Sequence, residues 1–130
     1  MENLKKLSEI GINIIKEEGL PIPTKITFAD TYLGTRRRKG CCTKDRTNDT
    51  FKIRINLRTA QFTYNEKGKY KCRKTGKRLE RIMGKLLSFD EIKETLAHEI
   101  AHLKFWKHDQ QHHSYTNHIL TKINMELKNG

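Results

Sequence analysis

Apolar residues recur along this chain with two different periods, and each stretch predicts its own element. From residue 2 to 18 the spacing is helical: Leu4, Leu7, Ile10, Ile12, Ile14 and Ile15 share one broad face and charges occupy the rest. Gly19 ends this helix, and Pro21 and Pro23 force an extended exit. The segment TKITFADTYLG (24–34) is rich in β-branched and aromatic residues and reads as a strand, with Gly34 at its turn. RRRKGCCTKDRTND (36–49) is a charged connection, with room for a short strand around Cys41 to Thr43. The clearest strand is TFKIRINLRT (50–59). Phe51, Ile53, Ile55 and Leu57 alternate there with Lys52, Arg54, Asn56 and Arg58, so one face meets a core and the other is basic.

Between residues 61 and 85 the pattern fades, and either a hairpin turning at Lys67-Gly68 or a long basic loop fits. Helical spacing returns afterwards. Ser88 and Glu91 form a Ser-x-x-Glu capping box and Leu87 can staple onto Ile92, which predicts a helix starting near residue 89. Ile92, Leu96, Ile100 and Leu103 make its buried stripe, with His98 and His102 together at one side. A last helix is expected from about residue 110 to 128, with Asp109 as N-cap and Thr116, Ile119, Ile123 and Leu127 facing inward; His112 falls on the same line. The sum is an α+β chain: an N-terminal helix, a small antiparallel or mixed sheet of three to four strands, then two helices. At 130 residues a single domain, 1–130, is expected.

Charge sharpens the picture. The net charge is +12, yet residues 36–85 hold 18 Lys/Arg against Asp45, Asp49, Glu66 and Glu80, while the rest is slightly acidic. A positive field confined to the middle of the chain suits a polyanion, which makes sequence-independent binding of nucleic acid, DNA first, the expected partnership. A solubilising surface is the plainer reading. The start of the chain lacks a signal peptide's apolar block, and no stretch approaches a membrane span. Cys41, Cys42 and Cys72 lack metal-binding spacing and are expected as partly buried small residues in a reduced, intracellular protein. A cytoplasmic monomer is expected, nuclear or nucleoid-associated if DNA-directed.

All six histidines lie between residues 98 and 118, and two of them frame His98-Glu99-Ile100-Ala101-His102, an HExxH sequence. Residues four apart stand one turn above each other on a helix, so two imidazoles can reach one zinc ion. The glutamate beside the first histidine then sits where it can take a proton from zinc-bound water. A catalytic zinc normally has a third protein ligand. His108 can supply it only if the chain breaks near Trp106-Lys107 and turns back; His112 or His113 are the alternatives, and Glu126 is a distant one. Tyr115 or His113 are candidates to stabilise an oxyanion.

HEIAHLKFWKH, followed by Asp109 and a helix, resembles the minimal zincins of the SprT-like group, with the WLM and YgjP-like proteins as its relatives. The element order of that group is similar over nearly the whole chain. The resemblance implies a zinc metallopeptidase with His98, His102 and His108 as ligands and Glu99 as general base. In the Spartan branch it further implies cleavage of proteins bound or crosslinked to DNA. Lys107 stands where the group usually has Gly or Asn, and His112 where it usually has an aromatic. Two other functions fit the same residues: a nucleic-acid-binding module with a structural zinc, and a zinc hydrolase of a small phosphate-bearing substrate.

Overall fold

Alternating and helical patterns meet around one apolar cluster in the computed structural model, which describes residues 2–22, 25–30, 40–45 and 50–129. Helix α1 spans Glu2–Glu17, and β1 (Lys25–Ala29), β2 (Gly40–Asp45) and β3 (Thr50–Asn56) form a first sheet. A second sheet consists of β4 (Gln61–Tyr64), β5 (Tyr70–Lys71) and β6 (Arg78–Ile82). Helices α2 (Phe89–Ala101) and α3 (Gln110–Asn129) complete the chain. The expected α+β class is what the structure shows. The expected turn at Gly34 and the RRRK run at 36–39 lie outside the described residues.

The first sheet is mixed. Its middle strand, β3, runs parallel to β1 and antiparallel to β2. Ile53 and Ile55 are buried against Leu7, Ile14, Ile15, Leu96, Ile100, Ile119 and Ile123, while Lys52 and Arg54 on the other face are exposed. The period of two therefore divides this strand as expected. Cys42 pairs with Ile53 and so shares its inward face. Burial, followed by the negative charge of Glu99, pushes its thiol up to about 12. It packs as a small apolar residue, as the spacing suggested.

Residues 61–85 are neither the expected hairpin at Lys67-Gly68 nor a loop. The order is β4-β6-β5, so the turn at 65–69 joins two strands that both pair with β6 and not with each other. The tight turn lies later, where Gly76 takes φ +72° between β5 and β6. The excursion is closed at its base. Thr59 donates its amide to the Lys85 carbonyl and Leu87 donates to Leu57. Gly84 fits there because a Cβ would stand 1.6 Å from the Thr59 carbonyl oxygen. Arg58 is taken up in this closure: it pairs with Asp30 and donates to the Gly84 carbonyl at 2.9 Å. Its guanidinium is thus held within the fold, although the alternating pattern put it on the basic outward face.

Helix α2 starts where the capping box predicted. Glu91 donates its amide to Ser88 Oγ at 3.2 Å, and Leu87 and Ile92 are both buried. Glu91 in turn receives the Ser88 hydroxyl at 3.3 Å. Helix α3 is capped by Asp109, whose carboxylate accepts the His112 amide at 3.0 Å.

Glu18, just past the end of α1, ties that helix to α3. It accepts from the Tyr115 hydroxyl at 2.8 Å, and His118 and Lys122 lie 3.1 and 3.0 Å away. The Tyr115 bond, with help from Lys122, lowers its carboxyl to about 2. A depressed folded-state value contributes stability above the unfolded value of 4.5, and that contribution disappears as pH falls toward 2. Glu18→Gln is therefore expected to lower stability by about 1–2 kcal/mol at pH 7, discounted for partial exposure. In urea titrations the gap from the wild type should narrow steadily between pH 5 and pH 3. A gap that stays constant over this range would show that the carboxylate's charge contributes nothing.

Candidate metal centre

Four histidines meet at the junction of α2 and α3. His98 and His102 stand one turn apart on α2, as four-residue spacing requires. The helix then tightens: the amides of His102, Leu103 and Lys104 bond three residues back instead of four, and the chain reverses before α3. Phe105 holds the reversal by packing edge-on against Tyr115, with ring centroids 5.7 Å apart. The regular α-helix ends at Ala101 and turn bonding continues to Phe105, just before the Trp106-Lys107 position at which ligand spacing suggested a break.

This reversal carries His108 back over α2. Its Nε2 lies 3.1 Å from His98 Nε2 and 3.0 Å from His102 Nε2. Ligand nitrogens about 2.0–2.1 Å from a tetrahedral zinc stand roughly 3.3 Å from one another, close to this spacing. Protonation states agree with the geometry. The Phe105 carbonyl can only accept, so the 3.3 Å contact from His102 Nδ1 places the ring proton there and leaves the Nε2 lone pair bare. A bare Nε2 and its two neighbours are then poorly served by the single proton His108 can offer, whereas one cation satisfies all three.

His112 is the fourth member. It is 3% exposed, and its Nε2 donates to the His98 carbonyl at 3.0 Å. Its ring stacks on that of His102 with centroids 4.2 Å apart. The ligand atoms of His98, His102 and His112 lie within 4.8 Å of one another, so this histidine cluster could hold a metal ion. His108 lies within 3.1 Å of both the His98 and the His102 Nε2 atoms, and the Nε2 of His112 is already engaged at the backbone carbonyl of His98. Burial, then the neighbouring imidazoles, lowers His98 to about 4, and desolvation lowers His102 and His112 as well. These rings are neutral at physiological pH, the state in which a metal binds them.

Other candidates stand elsewhere. His113 is exposed, His118 pairs with Glu18, and Glu126 is exposed more than three turns along α3 from His112. Tyr115 gives its hydroxyl to Glu18, so it is not available to an oxyanion.

Glu99 is 4% exposed, with Oε1 3.9 Å from His98 Nε2. Both line a cleft of about 710 Å³ between α2 and β2, with Gly40, Cys41, Cys42 and Thr43 on one wall and Trp106 and His108 at the end. Gly40 permits this close approach. A Cβ there would meet Thr95 Cγ2 at 2.8 Å and the Arg54 carbonyl at 2.9 Å, with Glu99 Cγ 3.4 Å away. Sequence reasoning missed Gly40, because nothing in a charged connection marks a glycine as the neighbour of a helix distant in sequence. It also missed Trp106, 55% exposed at the cleft's end and 5.8 Å from the His102 ring. Among the described residues no helix is long and apolar enough to cross a membrane. Compared with known protein families, curated proteins and solved structures, the chain finds no match.

Proposed function

We propose that this protein is a zinc-dependent peptidase of the SprT-like kind, with His98, His102 and His108 holding the metal and Glu99 acting as general base. The observation that carries this reading is His108 Nε2 within 3.1 Å of the Nε2 atoms of both His98 and His102, beside a buried glutamate in an open cleft. When bound, zinc polarises a carbonyl oxygen and lowers the pKa of water to about 7. Glu99 takes the proton of the attacking water at its carboxylate and returns it to the leaving amine. Low exposure keeps this carboxylate out of bulk water, and Gly40 lets the β2 wall close against it. Strand β2 is an edge of its sheet among the described residues, so an extended peptide can pair along it and pass over the histidines.

A structural zinc closed by His112 is the second reading, favoured by the ligand atoms of His98, His102 and His112 within 4.8 Å. It leaves the cleft and the buried Glu99 without a role. A phosphate-bearing substrate fits less well, because among the described residues no lysine or arginine lines the cleft. Zinc content and peptide cleavage by the wild type and Glu99→Gln, with and without DNA, separate these readings. Cleavage that disappears in the variant while zinc stays supports the peptidase; zinc without cleavage in either supports the structural site.

The nucleic-acid partner belongs to this proposal, and residues 61–85 are its best support. This excursion carries nine Lys/Arg against Glu66 and Glu80. Tyr64 is 63% exposed, with Lys77 Nζ 5.3 Å from its ring, a pairing that suits base stacking beside a phosphate. Arg54 remains exposed on the first sheet; Arg58 is held within the fold, and the run at 36–39 lies outside the described residues. Binding to single-stranded DNA is expected to be sequence-independent and to weaken with salt at about 0.7 log units per phosphate contacted. Neutralising Lys74, Lys77 and Arg78 should flatten that slope in anisotropy titrations. No binding at low salt would reduce the basic region to a solubilising surface.

A further inference from the structure

Arg81 belongs to the middle strand of the second sheet, and its charge is only partly compensated. Its guanidinium carbon lies 5.9 Å from the ring centre of Phe62, its cross-strand partner on β4. The ring attracts the cation but supplies no oxygen acceptor. Nε and Nη1 are buried, and neither has a hydrogen-bond partner among the described residues. Burial without a partner is costly, and most costly for a charged donor. Arg81 also lines a cavity of about 330 Å³ between β6 and the turn at 65–69. Lys67, Lys69, Tyr70 and Glu80 line it too, and both lysines are exposed. The turn that carries them is fixed. Asn65 accepts the Lys67 amide through Oδ1 at 3.0 Å and the Gly68 amide through its carbonyl at 2.9 Å. Gly68 lies so close to β6 that a Cβ would overlap the Leu79 carbonyl. Asn65 Nδ2 donates to Glu80 Oε2 at 2.8 Å, so the turn engages the cavity's carboxylate.

We infer that this cavity seats the terminal phosphate of a nucleic-acid strand, with Arg81 as its anchor and Lys67 and Lys69 at its rim. This rests on the nucleic-acid reading of residues 61–85 and gives that reading one specific contact. Phosphate oxygens supply the acceptors that Nε and Nη1 lack, in charge-assisted bonds stronger than neutral ones. Charge favours the end of a strand over its interior. A phosphate monoester carries about −1.5 to −2 near pH 7, whereas each backbone phosphate carries a single negative charge. Among the described residues the cavity holds Lys67, Lys69 and Arg81 against Glu80, a surplus that matches the monoester. Its volume lies at the small end of ligand sites, which suits a strand end better than a duplex. Tyr70, on the same wall, packs edge-on against Phe62 with centroids 5.4 Å apart. Its ring offers the adjoining base a surface to stack on.

The test measures anisotropy of one internally labelled single-stranded oligonucleotide, carrying a 5′-phosphate, a 3′-phosphate or neither, against the full chain. At least one phosphorylated form should bind roughly ten-fold more tightly than the bare strand, as charge-assisted bonds to buried donors imply. Arg81→Met keeps an unbranched stem beside Phe62 and should abolish that preference. Lys67→Gln combined with Lys69→Gln, at exposed positions that leave the fold intact, should cut it to about two- to three-fold. A second measurement needs no nucleic acid. Inorganic phosphate at constant ionic strength should raise the wild-type melting temperature and have a smaller effect on Arg81→Met. Equal binding of the three strands with no such difference overturns the phosphate seat and leaves the nucleic-acid reading standing. A phosphate effect that needs Arg81, with no strand bound, keeps the seat and removes nucleic acid as its occupant. A preference that survives in both variants overturns the assignment to this cavity. No strand binding and no phosphate effect overturn both.

Discussion

Glu99→Gln is expected to lower peptide hydrolysis by about 10²- to 10⁴-fold while zinc content and melting temperature stay at wild-type values. Glutamine is nearly isosteric with glutamate, and it can occupy the same buried place against β2 where Gly40 makes room. The converging ligand atoms belong to the histidines, and Glu99 Oε1 stands 3.9 Å from the nearest of them. The substitution therefore removes a proton acceptor and leaves the metal's donors in place. It also removes the negative charge that helps hold the Cys42 thiol protonated, so that thiol should titrate somewhat lower in the variant. This second readout reports the charge of Glu99 without any turnover. Metal loss in Glu99→Gln would mean that the glutamate is a ligand. Cleavage at the wild-type rate would remove it from the chemistry.

The parts of the fold that were legible are those where local pattern and tertiary demand agree. Strand β3 alternates because one face meets Leu96 and Ile100 across the core and the other meets solvent. Helix α2 announces its start because Ser88 must satisfy an amide that no helical carbonyl can reach. HExxH was legible for the same reason, since its geometry lies within one helical turn. The second sheet was not. Its strands hold two to five residues, and β5 contributes only Tyr70 and Lys71. A strand of two residues cannot display a period, and the pairing of β4 with β6 reaches across residues 65–77, a separation that no local signal encodes.

Within the site, the residues supplied by α2 could be read and those brought from elsewhere could not. Three, four and seven residues before His98 on the same helical face stand Thr95, Glu94 and Glu91, so the α2 wall of the cleft was available from spacing alone. Gly40 and Trp106 enter through the packing of β2 and of the reversal after Ala101, which depend on contacts distant in sequence. Tyr115 shows the converse. Its position near the histidines in sequence suggested a role at the metal, but Glu18, 97 residues away, accepts its hydroxyl.

His98→Ala and His102→Ala are expected to abolish zinc binding and, with it, the metal's contribution to stability. A ligand that binds only the folded state stabilises it by about 2.7 kcal/mol at a hundred times its dissociation constant. Zinc should therefore raise the wild-type melting temperature by several degrees and leave that of either variant unmoved. The remaining histidines rank by their contacts. His108→Ala should behave like the first two, because its Nε2 faces both of theirs at 3.0–3.1 Å. His112→Ala should weaken zinc by about 10- to 100-fold, the usual effect of a group that orients a ligand. Its loss removes the bond to the His98 carbonyl and the ring stacked behind His102. His118→Ala should leave the zinc response intact, since its ring pairs with Glu18. The decisive comparison is His108 against His112 by zinc titration. If His112→Ala releases the metal and His108→Ala does not, the cluster closes through α3. The third ligand then comes from the helix and not from the reversal that precedes it.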